Sequence, residues 1–179
     1  SHYYGLGLTY EIGKLSLAGI VERFDNKSEE DKNKATMVYS LSATYDFEVA
    51  KAFFGYQYAN RFHSLDQLED VWVSGKGMNQ NAFTLGAEVP AAGGTFKVAA
   101  NYGFGKVKSA DGVVVDDTKL SNDKFNRFTV GAAYEYPLSK RTFVYGWGAY
   151  ATAGKMFKEK AVEENFKSWS LGLGLHHTF

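Results

Sequence analysis

The chain has no cysteine, which excludes a disulfide framework and any Cys-based zinc site. Proline occurs only 2 times in 179 residues, so little interrupts regular backbone. Net charge is missing as well, with lysine plus arginine and aspartate plus glutamate at 20 each. That balance gives no pull towards nucleic acid. No apolar run approaches the roughly 20 residues of a transmembrane helix. No signal-peptide pattern opens the chain, so a mature chain or a piece of one is expected. What the sequence does have is 19 glycines and 16% aromatics, a composition suited to many regular strands. A spanning helix is excluded; a spanning barrel is not.

Alternation runs through almost the whole sequence. Tyr4, Leu6, Leu8, Tyr10 and Ile12 fall on one parity, against Gly5, Gly7, Thr9 and Glu11 on the other. Met37, Tyr39, Leu41, Ala43 and Tyr45 repeat the pattern, as do Phe96, Val98, Ala100, Tyr102 and Phe104. The last set is Trp169, Leu171, Leu173, Leu175, His177 and Phe179. A period of two is the strand signature. About nine such segments of roughly 9–13 residues are expected, the length a tilted spanning strand needs.

The connections alternate between short and long. Tight turns fall at Gly13-Lys14, near Asp46 to Glu48, at Pro90 to Gly94 and at Pro137 to Arg141. Between them lie DNKSEEDKNK, HSLDQLEDVWVSGKGMNQ, KSADGVVVDDTKLSND and TAGKMFKEKAVEENF. This is how an outer-membrane barrel is threaded, with short periplasmic turns and longer outside loops. The loops carry most of the charge, which makes the average composition look soluble. Aromatics sort towards strand ends, where amphipathic rings prefer the headgroup level. Tyr10, Tyr45, Phe47, Phe96, Tyr134, Tyr136, Phe143 and Tyr145 are the expected lower girdle. Tyr4, Tyr58, Phe83, Phe104, Phe128 and Trp169 are the expected upper one. The fold expected is all-β: an antiparallel transmembrane β-barrel.

Three segments carry a family resemblance. RFTVGAAYEYPLSKRTFVYGWGAY resembles the penultimate hairpin of general diffusion porins of the Neisseria and betaproteobacterial type, with their Y-x-L-S-K-R-T-x-x-Y pattern. SLGLGLHHTF resembles their closing strand and its terminal phenylalanine, with His177 a mild departure. YDFEVAKAFFGYQY resembles their YDFG-x-x-K turn, with Glu48 where glycine is common. The resemblance implies a sixteen-stranded barrel in the Gram-negative outer membrane, trimeric and passing small hydrophilic solutes and ions. It also implies that Phe179 is the signal read by the barrel assembly machinery. Residues 1–179 are then the C-terminal part of such a barrel. About seven further strands and the constriction loop are expected outside this sequence.

The opposite parity supplies the expected pore lining. Its charged members are Glu11, Glu22, Asp46, Lys51, Arg61, Glu88, Lys97, Arg127 and Glu135. Asp46 with Lys51, and Glu88 with Lys97, flank tight turns and are expected to pair. Arg61 and Arg127 lie near the outer ends, where they either draw anions into the mouth or pair with loop carboxylates. In the last two strands Thr142, Val144, Gly146, Gly148, Ser170, Gly172, Gly174 and Thr178 are expected to line a smooth wall. Enzymatic readings are thin. His63, Ser64 and Asp66 are neighbours in one loop and do not converge from separate elements. His176 and His177 face opposite sides of a strand and cannot share a metal. Asp116, Asp117, Glu163 and Glu164 read as a solvated run before a calcium site. No catalytic residue, metal or cofactor is expected. The rival to a porin is an adhesin or receptor barrel working through its loops, and conductance separates the two.

Overall fold

The computed structural model describes residues 2–25, 35–64, 71–115, 117–159, 162 and 167–178. Nine long strands form one antiparallel sheet. They are β1 (His2–Ile12), β2 (Leu15–Asp25), β3 (Thr36–Asp46), β4 (Lys51–Phe62), β5 (Met78–Ala91), β6 (Gly94–Val107), β9 (Lys124–Ser139), β10 (Thr142–Lys155) and β11 (Lys167–His177). A short hairpin of β7 (Val114–Val115) and β8 (Thr118–Lys119) stands apart, in the loop after β6. Every long strand pairs with its neighbours in chain order, and β1 and β11 end the sheet. An 11-residue strand such as β1, tilted by about 45°, covers about 25 Å, the height of an outer-membrane apolar band.

Cross-strand partners share a face, so the registers define two continuous surfaces. On one, Leu8 faces Gly19, which faces Leu41, then Tyr56, Phe83 and Tyr102. We call this the apolar face. Tyr10, Tyr45, Tyr134, Tyr136 and Trp169 lie on it, as the alternation predicts. On the other face Asp46, Lys51, Glu88 and Lys97 form one row across four strands. Glu135 and Arg127 share that parity on β9.

Strand β10 departs from the expectation. Ser139 faces Thr142 but Pro137 faces Phe143, so Leu138 is the extra residue of a β-bulge. A one-residue slip turns every later side chain over. Tyr145 therefore faces Glu135 rather than Tyr136, and Trp147 faces Ala133. Phe143, Tyr145 and Trp147 stand on the polar face, and Thr142, Val144, Gly146 and Gly148 on the apolar one. The expected inward assignment of those four positions is corrected, and so is the girdle assignment of Phe143 and Tyr145. On β11 the expectation of inward Ser170, Gly172 and Gly174 agrees with the registers. That wall is not bare, because the Tyr145 and Trp147 rings fold over Gly174 and Gly172, where a Cβ would collide with them.

A second bulge lies at Arg61, between Asn60 and Phe62, with φ of 59°. It brings Phe62 opposite Met78 on the polar face. There the chain builds its buried core. Met78, Val107, Phe125 and Ala153, at the long-loop ends of four strands, pack with Val73, Val113, Leu120, Met156, Phe157 and Val162 from three loops. The expected strand lengths fall short here, since β9 runs for 16 residues.

Candidate functional site

The charged row is held by small residues and by its own pairs. Lys97 Nζ lies 3.1 Å from Glu135 and 3.9 Å from Glu88, so one ammonium sits between two carboxylates. The expected Glu88–Lys97 pair is present, with Glu135 its closer rival. Asp46 instead accepts the Glu48 backbone N–H at 2.8 Å, which shapes its turn, and no ion pair joins it to Lys51 among the described residues. Glu48 pairs with Lys14 of the neighbouring turn. Glu22 accepts the Tyr3 hydroxyl at 2.8 Å.

Arg127 faces Gly103 and Ala153, neither of which can neutralise it. Among the described residues no carboxylate pairs with Arg127 or Arg61. Arg61 contributes its carbonyl, which accepts the Thr36 hydroxyl at 2.6 Å. Both cations thus keep their charge available to solvent ions.

Beside the row the polar face forms a trough of about 490 Å³, running from Phe53 on β4 to Trp147 on β10. Its floor is Gly86, Ala99, Gly131 and Ala133, with no side chain beyond a methyl.

The loop core is clasped by polar contacts. Glu159 accepts the Ser121 and Asn122 backbone N–H groups at 2.8 and 2.6 Å. The Ser121 N–H is the main reason its carboxyl is held below the ordinary glutamate range, against an opposing push from burial. His63 is buried, bonds the Val73 carbonyl through Nδ1 at 2.6 Å and stacks on Trp72 at 4.9 Å. It anchors a loop rather than serving Ser64. His176 stacks on Phe143 at 4.9 Å, while His177 Nδ1 lies 2.8 Å from the Thr142 hydroxyl. Asp66, Asp116, Glu163, Glu164 and Phe179 lie outside the described residues.

A family model of the Gram-negative porins matches residues 1–155. The chain belongs to that family. The porin chain is 30% identical to an outer membrane porin protein of Bordetella pertussis, over 97% of its own length and 45% of the relative's. In fold it resembles the anion-selective porin from Comamonas acidovorans, with a TM-score of 0.57 and 23% identity. That likeness covers 99% of this chain and 49% of the other. The porin chain thus spans about half the length of the relatives it matches. Its location is the outer membrane, integral to the bilayer.

Two features of the porin wall were readable in the sequence and passed over. Pro137 inside a central strand signals a bulge, since proline cannot donate to the ladder. The loops read as polar contain VWV, GVVV and MF, apolar runs that a fully solvated loop does not need.

Proposed function

We propose that the chain forms pore wall in a water-filled outer-membrane channel for small hydrophilic solutes and ions, acting passively and not as an enzyme. One contrast carries the reading. The apolar face exposes Leu6 at 70%, Leu8 at 74%, Leu171 at 75% and Leu173 at 92%, whereas the opposite face holds the charged row. A protein in water does not leave such a band uncovered; lipid covers it, and water fills the other side. The long-loop end then faces outward, and the turns face the periplasm.

The free edges of β1 and β11 carry backbone groups that lipid cannot satisfy. With the half-length coverage of its relatives, this supports a barrel of about sixteen strands in which the chain is the C-terminal part. A homotrimer, and assembly through Phe179, follow from the same family reading. An intact product of 19.9 kDa that closed and conducted alone would overturn the half-barrel reading.

The intact protein in a planar bilayer should carry a steady current; a plugged adhesin barrel would carry none. Arg127 and Arg61 support a slight anion preference. Arg127→Ala should shift the reversal potential in a salt gradient towards cation selectivity without changing folding. Cation selectivity in the parent, unmoved by this substitution, would sink the assignment.

A further inference from the structure

The trough is built as a recognition surface, and its parts come from two rows of the register. The first row runs Phe53, Gly86, Ala99, Gly131 and Ala149, each facing the next across five strands. The second runs Lys51, Glu88, Lys97, Ala133 and Trp147. Small residues thus leave a flat apolar floor, with an aromatic ring at each end. On the turn side stand Glu88 and Lys97. On the loop side stands Thr84, whose hydroxyl accepts the Asn101 amide N–H at 2.7 Å.

The Trp147 ring folds over Gly172, and the Tyr145 ring over Gly174. Glycine at these two positions is what lets the rings lie against the wall, since a Cβ at either would meet ring atoms. Trp147 remains 40% exposed, so part of its ring is open to whatever occupies the trough. The bulge at Leu138 creates this arrangement, because without it the same rings would turn to lipid.

The charges on the rim restrict the occupant. Lys97 is shared between Glu88 and Glu135, leaving a cluster with one net negative charge, which disfavours anions. The rim offers both donors and acceptors, Lys97 on one side and Glu88 with Thr84 on the other. A hydroxyl both gives and accepts a hydrogen bond, and so matches a rim of this kind. A flat C–H face matches the alanine and glycine floor and the indole.

We propose that this trough is a binding subsite for neutral polyhydroxylated rings, that is, sugars, which rest on Trp147 while crossing the channel. The proposal rests on the reading that the polar face lines the lumen.

The test uses the intact barrel containing this chain, folded in detergent, with glucose and maltotriose as probes. Saturation-transfer NMR should give saturable binding to the parent protein. Trp147→Ala should weaken it about tenfold, and Trp147→Phe, which keeps a ring, about twofold. Gly131→Leu fills the floor without touching Trp147 or Gly172, and a Cβ there makes only ordinary contacts of 3.5 Å and beyond. It should abolish binding in a barrel that still folds, even if Trp147→Ala does not. Absence of saturable binding to the parent would overturn the proposal, as would unchanged binding in Gly131→Leu. Equal binding of benzoate would overturn the choice of a neutral sugar. Ion current from the same preparation judges the channel reading separately: a barrel that conducts but binds no sugar refutes only this inference.

Discussion

The two ends of the sheet are built differently. At the turn end the wall is a single layer, and each side chain's face follows from the parity of its position. At the loop end a second layer covers the polar face, where Phe62, Met78, Val107 and Phe125 meet Val73, Met156 and Phe157. The ring contacts there bring Phe125 to 6.3 Å from Phe62 and 5.9 Å from Phe157. The turn end draws its stability from backbone pairing and from lipid, the loop end from burial of the kind found in water-soluble proteins. A barrel can therefore carry a soluble-type core on its outer rim without altering the alternation below it.

The strongest way to break the comparison is at the turn end. Deleting Leu138 removes the bulge and returns Tyr145 to the face of Tyr136, turning the whole of β10 over. The yield of folded barrel should fall steeply. In any barrel that does fold, a cysteine replacing Tyr145 should lose its reaction with a water-soluble maleimide. Continued labelling would show that the bulge does not set the facing.

Phe157→Ala attacks the other end. It should cost about 3–5 kcal/mol of loop-core stability, read as faster proteolysis of the loop segments with the strands still protected. Unfolding of strands and loops together would mean that the two ends are not separate.

Leu173→Arg against Ser170→Arg compares the two faces within β11. The first should cost roughly 2–4 kcal/mol near mid-membrane; the second should change conductance and leave urea unfolding nearly unmoved. Gly172 is unsuitable for this comparison, because any side chain there displaces the Trp147 ring.

The smallest effect is a pH dependence confined to the loop end. Glu159 titrates below its ordinary value of 4.5 because of the Ser121 N–H. A depressed carboxyl stabilises the fold in full above its unfolded value and loses that contribution as pH falls through the folded one. Protection of the loops, measured by hydrogen exchange, should hold at pH 7 and fade below about pH 4. Glu159→Gln should flatten this profile, and an unchanged profile would mean another group governs it.

Much of the wall was legible. Tyr4 to Ile12 and Trp169 to Leu175 each announce a strand and its two faces, because a period of two has only two solutions. The Lys97 cluster was half legible: Glu88 lies across a tight turn and could be paired by counting, but Glu135 reaches Lys97 from a strand that follows a long loop. The loop core was the least legible, since VWV, GVVV and MF sit in separate charged loops and nothing local says they meet.

The sequence by itself determined that this is an antiparallel wall with an apolar and a polar side, since alternation, turn chemistry and loop length are local properties of the chain. Tertiary structure alone decided which side β10 shows to each solvent. An extra residue at Leu138 or Arg61 is invisible to periodicity, yet in a paired ladder it inverts everything beyond it. It also decided that three loops share one core, because burial is a relation between segments that the chain brings together only when the strands beneath them have paired.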